Sequence, residues 1–130
     1  MFTITTDNHL ELTQAIIGLL DQWGIEDRAQ IRVLGLPDTT RSRVIRSFRK
    51  NTPIPLDDTV RERIDHIMGI ADALYTSFPL NEMGGAMWMN RSNERFQNRT
   101  PINTILEDGL DGLLAVRRHL DCAYDWHTNG

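Results

Sequence analysis

The sequence holds a single cysteine, Cys122. An internal disulfide is therefore excluded, which fits a reducing cytoplasm. No apolar run is long enough to cross a bilayer, and the N-terminal stretch MFTITTDNHLELTQ lacks a basic region followed by an apolar one. Neither a membrane span nor a signal peptide is expected. Internal repeats, low-complexity segments and convincing strands are also lacking, so the expected fold is all-α. What is present is ordinary globular composition, 40% hydrophobic and 25% charged, which argues against disorder. The 130 residues suit one compact unit, or two small helical ones sharing a core.

Acidic charge is scarce in one place. Residues 28–50 carry seven basic side chains and one acidic one, Asp38, whereas residues 51–130 carry seven basic and twelve acidic ones. A basic stripe on a chain of net charge −4 suggests a defined polyanion contact rather than general stickiness.

Helical periodicity organises the rest. Asn8-x-x-Glu11 is a capping-box pattern. Leu12, Ala15, Ile16, Leu19, Leu20 and Trp23 then define one buried face, and Gly24 supplies the stop. This face is either core or a dimer seam. A short helix over residues 26–34 should bury Ala29, Val33 and Leu34. After the turn Leu34-Gly35-Leu36-Pro37, with Asp38 as candidate cap, a third helix is expected to reach Lys50. At 100° per residue Val44, Ile45 and Phe48 share one arc. Thr39, Ser42, Arg43, Arg46, Arg49 and Lys50 share the opposite one, and Arg41 falls among the apolar residues. Short helix, turn and basic helix together read as a helix-turn-helix.

Two prolines in Asn51-Thr-Pro-Ile-Pro-Leu56 mark a linker. Beyond it the strongest stripe is Val60, Ile64, Ile67, Met68, Ala71, Leu74, Tyr75 and Phe78, ending at Pro79. A short helix over residues 81–89 contains Gly84-Gly85. The polar stretch WMNRSNERFQNRTP (residues 88–101) follows. Thr100-Pro101 starts a helix that buries Ile102, Ile105 and Leu106 and ends at Gly109. The last helix carries Leu113, Val116, Leu120, Ala123 and Tyr124.

The ordered set Leu34-Gly35-Leu36-Pro37, basic helix, Leu56-Asp57-Asp58-Thr59, Glu62-Arg63-Ile64, Gly69-Ile70, Ala73-Leu74 and Phe78-Pro79 forms a pattern. It continues with Trp88 and Asn90, Phe96, Thr100-Pro101, Gly109, Leu113 and Val116-Arg117-x-x-Leu120. This pattern, from about Trp23 to Tyr124, resembles the Xre/MbcA/ParS antitoxins. The resemblance implies a bacterial, cytoplasmic, non-enzymatic protein without a cofactor. It implies a helix-turn-helix region over residues 1–54 and a helical toxin-binding domain over residues 55–130. It further implies a RES-domain, NAD-consuming toxin as partner, operator DNA as a second one, and homodimers that assemble with the toxin. Two departures stand out. Family members often carry aromatics in the third helix, where this chain reads Thr-Thr-Arg-Ser-Arg-Val-Ile-Arg-Ser-Phe. The Asn93-Glu94-Arg95 segment is also more polar than the family's turn after the tryptophan.

The candidate DNA-binding residues are Thr39, Ser42, Arg43, Arg46, Arg49 and Lys50. Arg43 and Arg46 are placed for base edges, Arg49 and Lys50 for phosphates. A merely solvated basic face is the alternative. The candidate toxin-binding residues are Trp88, Asn90, Phe96, Arg117, Asp121, Tyr124 and Trp126. Within the polar stretch Trp88 and Phe96 should pin the loop, with asparagines satisfying its backbone. Arg117 could instead pair with an internal carboxylate. Tyr124 and Trp126 could fold back on the core or anchor a partner. His119-x2-Cys122-x4-His127, near Asp121 and Asp125, offers too few ligands for a closed zinc site. Cys122 with His119 lacks the oxyanion hole that a nucleophile–base pair needs. A stand-alone regulator whose second half only dimerises is the competing functional reading.

Overall fold

In a computed structural model the backbone is described for residues 8–81 and 83–129, and side chains to residue 122. Seven helices are described: α1 (His9–Gln22), α2 (Asp27–Val33), α3 (Arg43–Lys50), α4 (Asp58–Ser77), α5 (Gly84–Met89), α6 (Pro101–Asp108) and α7 (Leu110–Asn129). A 3-10 turn, Glu94–Phe96, interrupts the loop between α5 and α6. The described residues contain no strand, only an isolated bridge between Asn93 and Arg99. The all-α expectation is met.

Local chemistry accounts for most helix ends. Asp57 accepts a hydrogen bond from Val60 N and starts α4. Thr100 accepts from Asn103 N with Pro101 at the first position of α6, and Gly24 and Gly109 take positive φ after α1 and α6. The expected capping box of α1 does not form, since Asn8 is the N-cap without a side-chain cap bond. The third helix also starts later than its charge pattern suggests. Pro37, Asp38, Thr39, Thr40 and Arg41 form turns and α3 begins at Arg43, so Asp38 caps nothing. The α2–α3 connection spans residues 34–42. That is longer than the three or four residues of a compact helix-turn-helix.

One continuous core includes α1 (Leu12, Ile16, Ile17, Leu20), the linker residue Ile54, and α4, α6 and α7. The linker is stitched to α1 by polar groups. Thr13, 1% exposed, donates to His9 O and accepts from Ile54 N, and His9 Nε2 donates to Ile54 O at 2.7 Å. In α4 the buried side chains are Val60, Ile64, Ile67, Ile70, Ala73 and Leu74. Tyr75, expected in that stripe, is 75% exposed, and Met68 and Ala71 are half-buried. Ala15, expected inside α1, is exposed, and Ile17 is buried instead.

Helix α7 packs along both α4 and α6. Its contact with α6 is backbone against backbone. A Cβ added at Gly112 would stand 2.3 Å from Thr104 O and 2.9 Å from Ile105 Cα. Neither atom can yield without moving α6. Gly112→Ala is therefore expected to lower stability by about 1–3 kcal/mol through overpacking. Gly18→Ala, exposed in α1 with nothing within 4 Å of an added Cβ, should raise it by about 0.5–1 kcal/mol. Denaturant midpoints of the two variants check both signs together.

Candidate functional site

The polar stretch between α5 and α6 is built from short-range bonds. Asn93 Oδ1 accepts from Arg95 N, and its backbone N–H donates to Arg99 O. Gln97 and Asn98 both take left-handed φ, 60° and 63°, and so turn the chain back toward α6. Arg99 straps the result down. Its Nε donates to Phe96 O, Nη1 donates to Glu107 and Asp108, and Nη2 donates to Asp108. The Arg99 guanidinium holds the Asp108 carboxyl below the usual carboxylate range.

Aromatic packing then pins the loop to α5 and α7. His119 stacks on Trp88 at 5.9 Å, and Phe96 stands edge-on to both, 6.4 Å from Trp88 and 5.5 Å from His119. Phe96 is buried, Trp88 half-buried. Asn90 Nδ2 donates to Trp23 O and Ala86 O, which ties the end of α5 to the end of α1. Trp88 and Phe96 thus shape this face from beneath, whereas Asn90 stays exposed while its amide makes these two bonds.

Arg117 lies across α4. Its Nη1 donates to Asp65 Oδ2 at 3.1 Å and Asp65 O at 3.4 Å, and lies 3.0 Å from His66 Nδ1. Its Nε is 3.9 Å from Asp121 Oδ2. A Cβ at Gly69 would stand 2.5 Å from the guanidinium carbon, so a larger residue there would displace the end of the Arg117 side chain. The internal-carboxylate alternative for Arg117 is the one the structure adopts. Asp121 remains exposed on the same ridge. The side chains of Tyr124 and Trp126, and of Asp125 and His127, lie outside the described residues.

Exposed apolar side chains make a further surface that periodicity does not reveal. Tyr75, Leu80, Met83 and Met87 are 75%, 99%, 54% and 54% exposed. Beside them a groove of about 320 Å³ is lined by Leu19, Trp23, Leu74, Tyr75, Phe78 and Ala86, among others. Leu80 and Met83 follow the Pro79 break, where no helical repeat assigns a face.

At the other pole, Arg43, Arg46 and Lys50 project from α3 and line a shallow groove with Ser47 and Asn51. These three cations fall within roughly 60° of arc at 100° per residue. Thr39 and Ser42 do not sit on α3. With Arg28, Arg32 and Arg41 they line a neighbouring groove against α2. Arg49 points elsewhere, into an ion pair with Asp21 and Asp27. Among the described residues no group of three or more His, Cys, Asp or Glu side chains could hold a metal.

His119 carries a pH dependence. Burial, and secondarily the nearby Arg95 charge, push its pKa below the ordinary 6.5. The neutral ring is therefore favoured by folding. Its contribution is complete above pH 6.5 and is lost as pH falls through the lowered folded value. Thermal melts from pH 7 to pH 5 should show a smaller loss of Tm for His119→Phe than for the parent.

Residues 72–123 match the family model of the antitoxin Xre/MbcA/ParS C-terminal toxin-binding domain. The chain is also 29% identical over 108 residues to y4oB, an uncharacterized protein of Sinorhizobium fredii, covering 83% of this chain and 80% of the relative. The matched segment begins in α4, just before the exposed Tyr75, and includes the aromatic cluster, Arg117 and Asp121. Over residues 72–123 this chain is thus similar to the C-terminal toxin-binding domain of the Xre/MbcA/ParS antitoxins.

Proposed function

We propose that this protein is the antitoxin of a type II toxin–antitoxin system and neutralises a RES-domain toxin by occluding its NAD site. The observation that carries the reading is the toxin-binding domain match over residues 72–123, which ends inside α7. The occluding element is α7 and its tail, about residues 117–126. Leu113, Val116 and Leu120 anchor α7 in the core, and the helix continues to Asn129. Occlusion needs shape and a few anchors, with no catalytic group from this chain. Asp121 on the exposed ridge and the aromatics Tyr124 and Trp126 are the proposed anchors. Trp88, Asn90, Phe96 and Arg117 hold that surface in place.

The same reading gives the basic pole to operator DNA and autoregulation, through a homodimer. Arg43 and Arg46, exposed at i and i+3 of α3, are the proposed base contacts, and Lys50 is the proposed phosphate contact. Thr39 and Ser42 would contribute from the adjoining groove.

Co-expression with a RES-domain toxin tests the first half. The full chain should co-purify with the toxin and preserve cellular NAD. Tyr124→Ala combined with Trp126→Ala should weaken the complex by about 30-fold or more, the loss of at least one hot spot of about 2 kcal/mol. A folded double variant that binds and protects like the parent would remove the tail from the mechanism. For the second half, Arg43→Ala or Arg46→Ala should cost about 1–3 kcal/mol of operator affinity and relax preference at the contacted base, read by electrophoretic shift on single-base operator variants. Failure to capture any toxin, with operator binding intact, would instead favour a stand-alone regulator that uses its second half to dimerise.

A further inference from the structure

Arg49 stands next to last in the basic run of α3, yet its half-buried side chain turns toward the seam with α1 and α2. Its Nε and Nη2 donate to the two oxygens of Asp21, at 2.9 Å and 2.7 Å. The same guanidinium reaches Asp27 through Nη1 and Nη2. Asp21 is aimed in turn. Gln30, 0% exposed, donates its Nε2 to Asp21 Oδ1 at 2.7 Å and to Ile25 O at 2.9 Å. From α1, Gln14 Nε2 donates to the Lys50 and Arg49 carbonyls, at 2.8 Å and 3.4 Å. Those carbonyls end a helix and have no partner within it.

Two carboxylates face one guanidinium here, so the trio carries net negative charge. A phosphate approaching Arg49 meets a cation with four of its five N–H groups already donated to carboxylates. Hydrogen bonding to Arg49 holds the Asp21 carboxyl below its usual range. Arg43, Arg46 and Lys50 meet no carboxylate within ion-pair distance among the described residues.

We infer that Arg49 is a positioning residue: it locks the C-terminal end of α3 onto α1 and α2, thereby orienting the Arg43–Arg46–Lys50 face, and does not contact polyanion itself. This rests on the DNA reading proposed above for its consequence, but not for the lock. It overturns the phosphate role that the charge pattern assigns to Arg49.

The test uses the full chain and two readouts. Affinity for a duplex carrying the sequence upstream of its own reading frame is measured against salt, for the parent, Lys50→Met and Arg49→Met. Lys50→Met should flatten the slope of log K against log salt by about 1, because one phosphate fewer is neutralised. Arg49→Met should leave the slope within error of the parent. Tm is then measured for Arg49→Met, Asp21→Asn and the double variant. Arg49→Met should lose several degrees, and the double variant little more, since the second change finds its partner already gone. A slope that falls by about 1 in Arg49→Met, or additive Tm losses, overturns the inference. Absence of duplex binding by the parent sinks the DNA reading alone, and the Tm cycle still decides the lock.

Discussion

Burial of the apolar side of α4 is the interaction on which the remaining structure depends. Val60, Ile64, Ile67, Ile70 and Leu74 are each at most 4% exposed. Side chains of this kind contribute about 1.5–3 kcal/mol apiece when removed from water. Half-exposed ion pairs such as those of Arg49 belong to a class worth about 0–1 kcal/mol. The fold is therefore set by α4 and what packs on it: α7 along one side, α1 and α5 along the others. The ion pairs decide orientation within that frame. Arg117 over Gly69 registers α7 on α4, and Arg49 between Asp21 and Asp27 registers α3 on α1 and α2.

Much of this is legible in the sequence because it is local. Thr100-Pro101, Asp57, Gly24 and Gly109 act through neighbours three or four residues away, and the α4 stripe is long enough for its period to show. Tyr75 is misplaced by periodicity because it stands at the edge of the apolar arc, where a one-position rotation changes core to solvent. Ile70 and Ala73, on the opposite edge of that arc, enter the core instead. The late start of α3 is hidden because Thr39 and Arg41 suit a helix by charge pattern, while the chain after Pro37 goes into turns. Arg49 cannot be assigned from its own helix. Its partners lie 28 and 22 residues away, and only packing brings them within reach. The exposed set Leu80, Met83 and Met87 escapes for a related reason: a proline break removes the periodicity by which a face is recognised.

The two poles to which function is proposed differ in construction. The basic pole uses exposed cations on a short helix, and its field can act before contact. The segment that matches the toxin-binding domain is built largely on aromatic and amide contacts. Trp88, Phe96 and His119 form one packed cluster, and Asn90 carries the connection to Trp23 in α1. Changes in that cluster would alter the shape of the surface without touching a partner. The two poles share a single continuous core, since Trp23 and Ile54 from the first half sit in the same apolar cluster as Ile105 and Leu113 from the second.

The close approach at Gly112 has a geometric consequence. Where α6 and α7 touch through backbone, the direction of α7 is constrained from its first turn, and packing on α4 carries that direction further along the helix. From Gly112 to Asn129 the helix extends roughly 25 Å at 1.5 Å per residue. A tilt of about 10° at the base would carry the far end about 4 Å sideways over that length. That is more than the width of a hydrogen bond, and enough to take an anchor out of a pocket. The crossing therefore acts as one fulcrum of a lever, whose accuracy at the distal end depends in part on the absence of one methyl group at the near end.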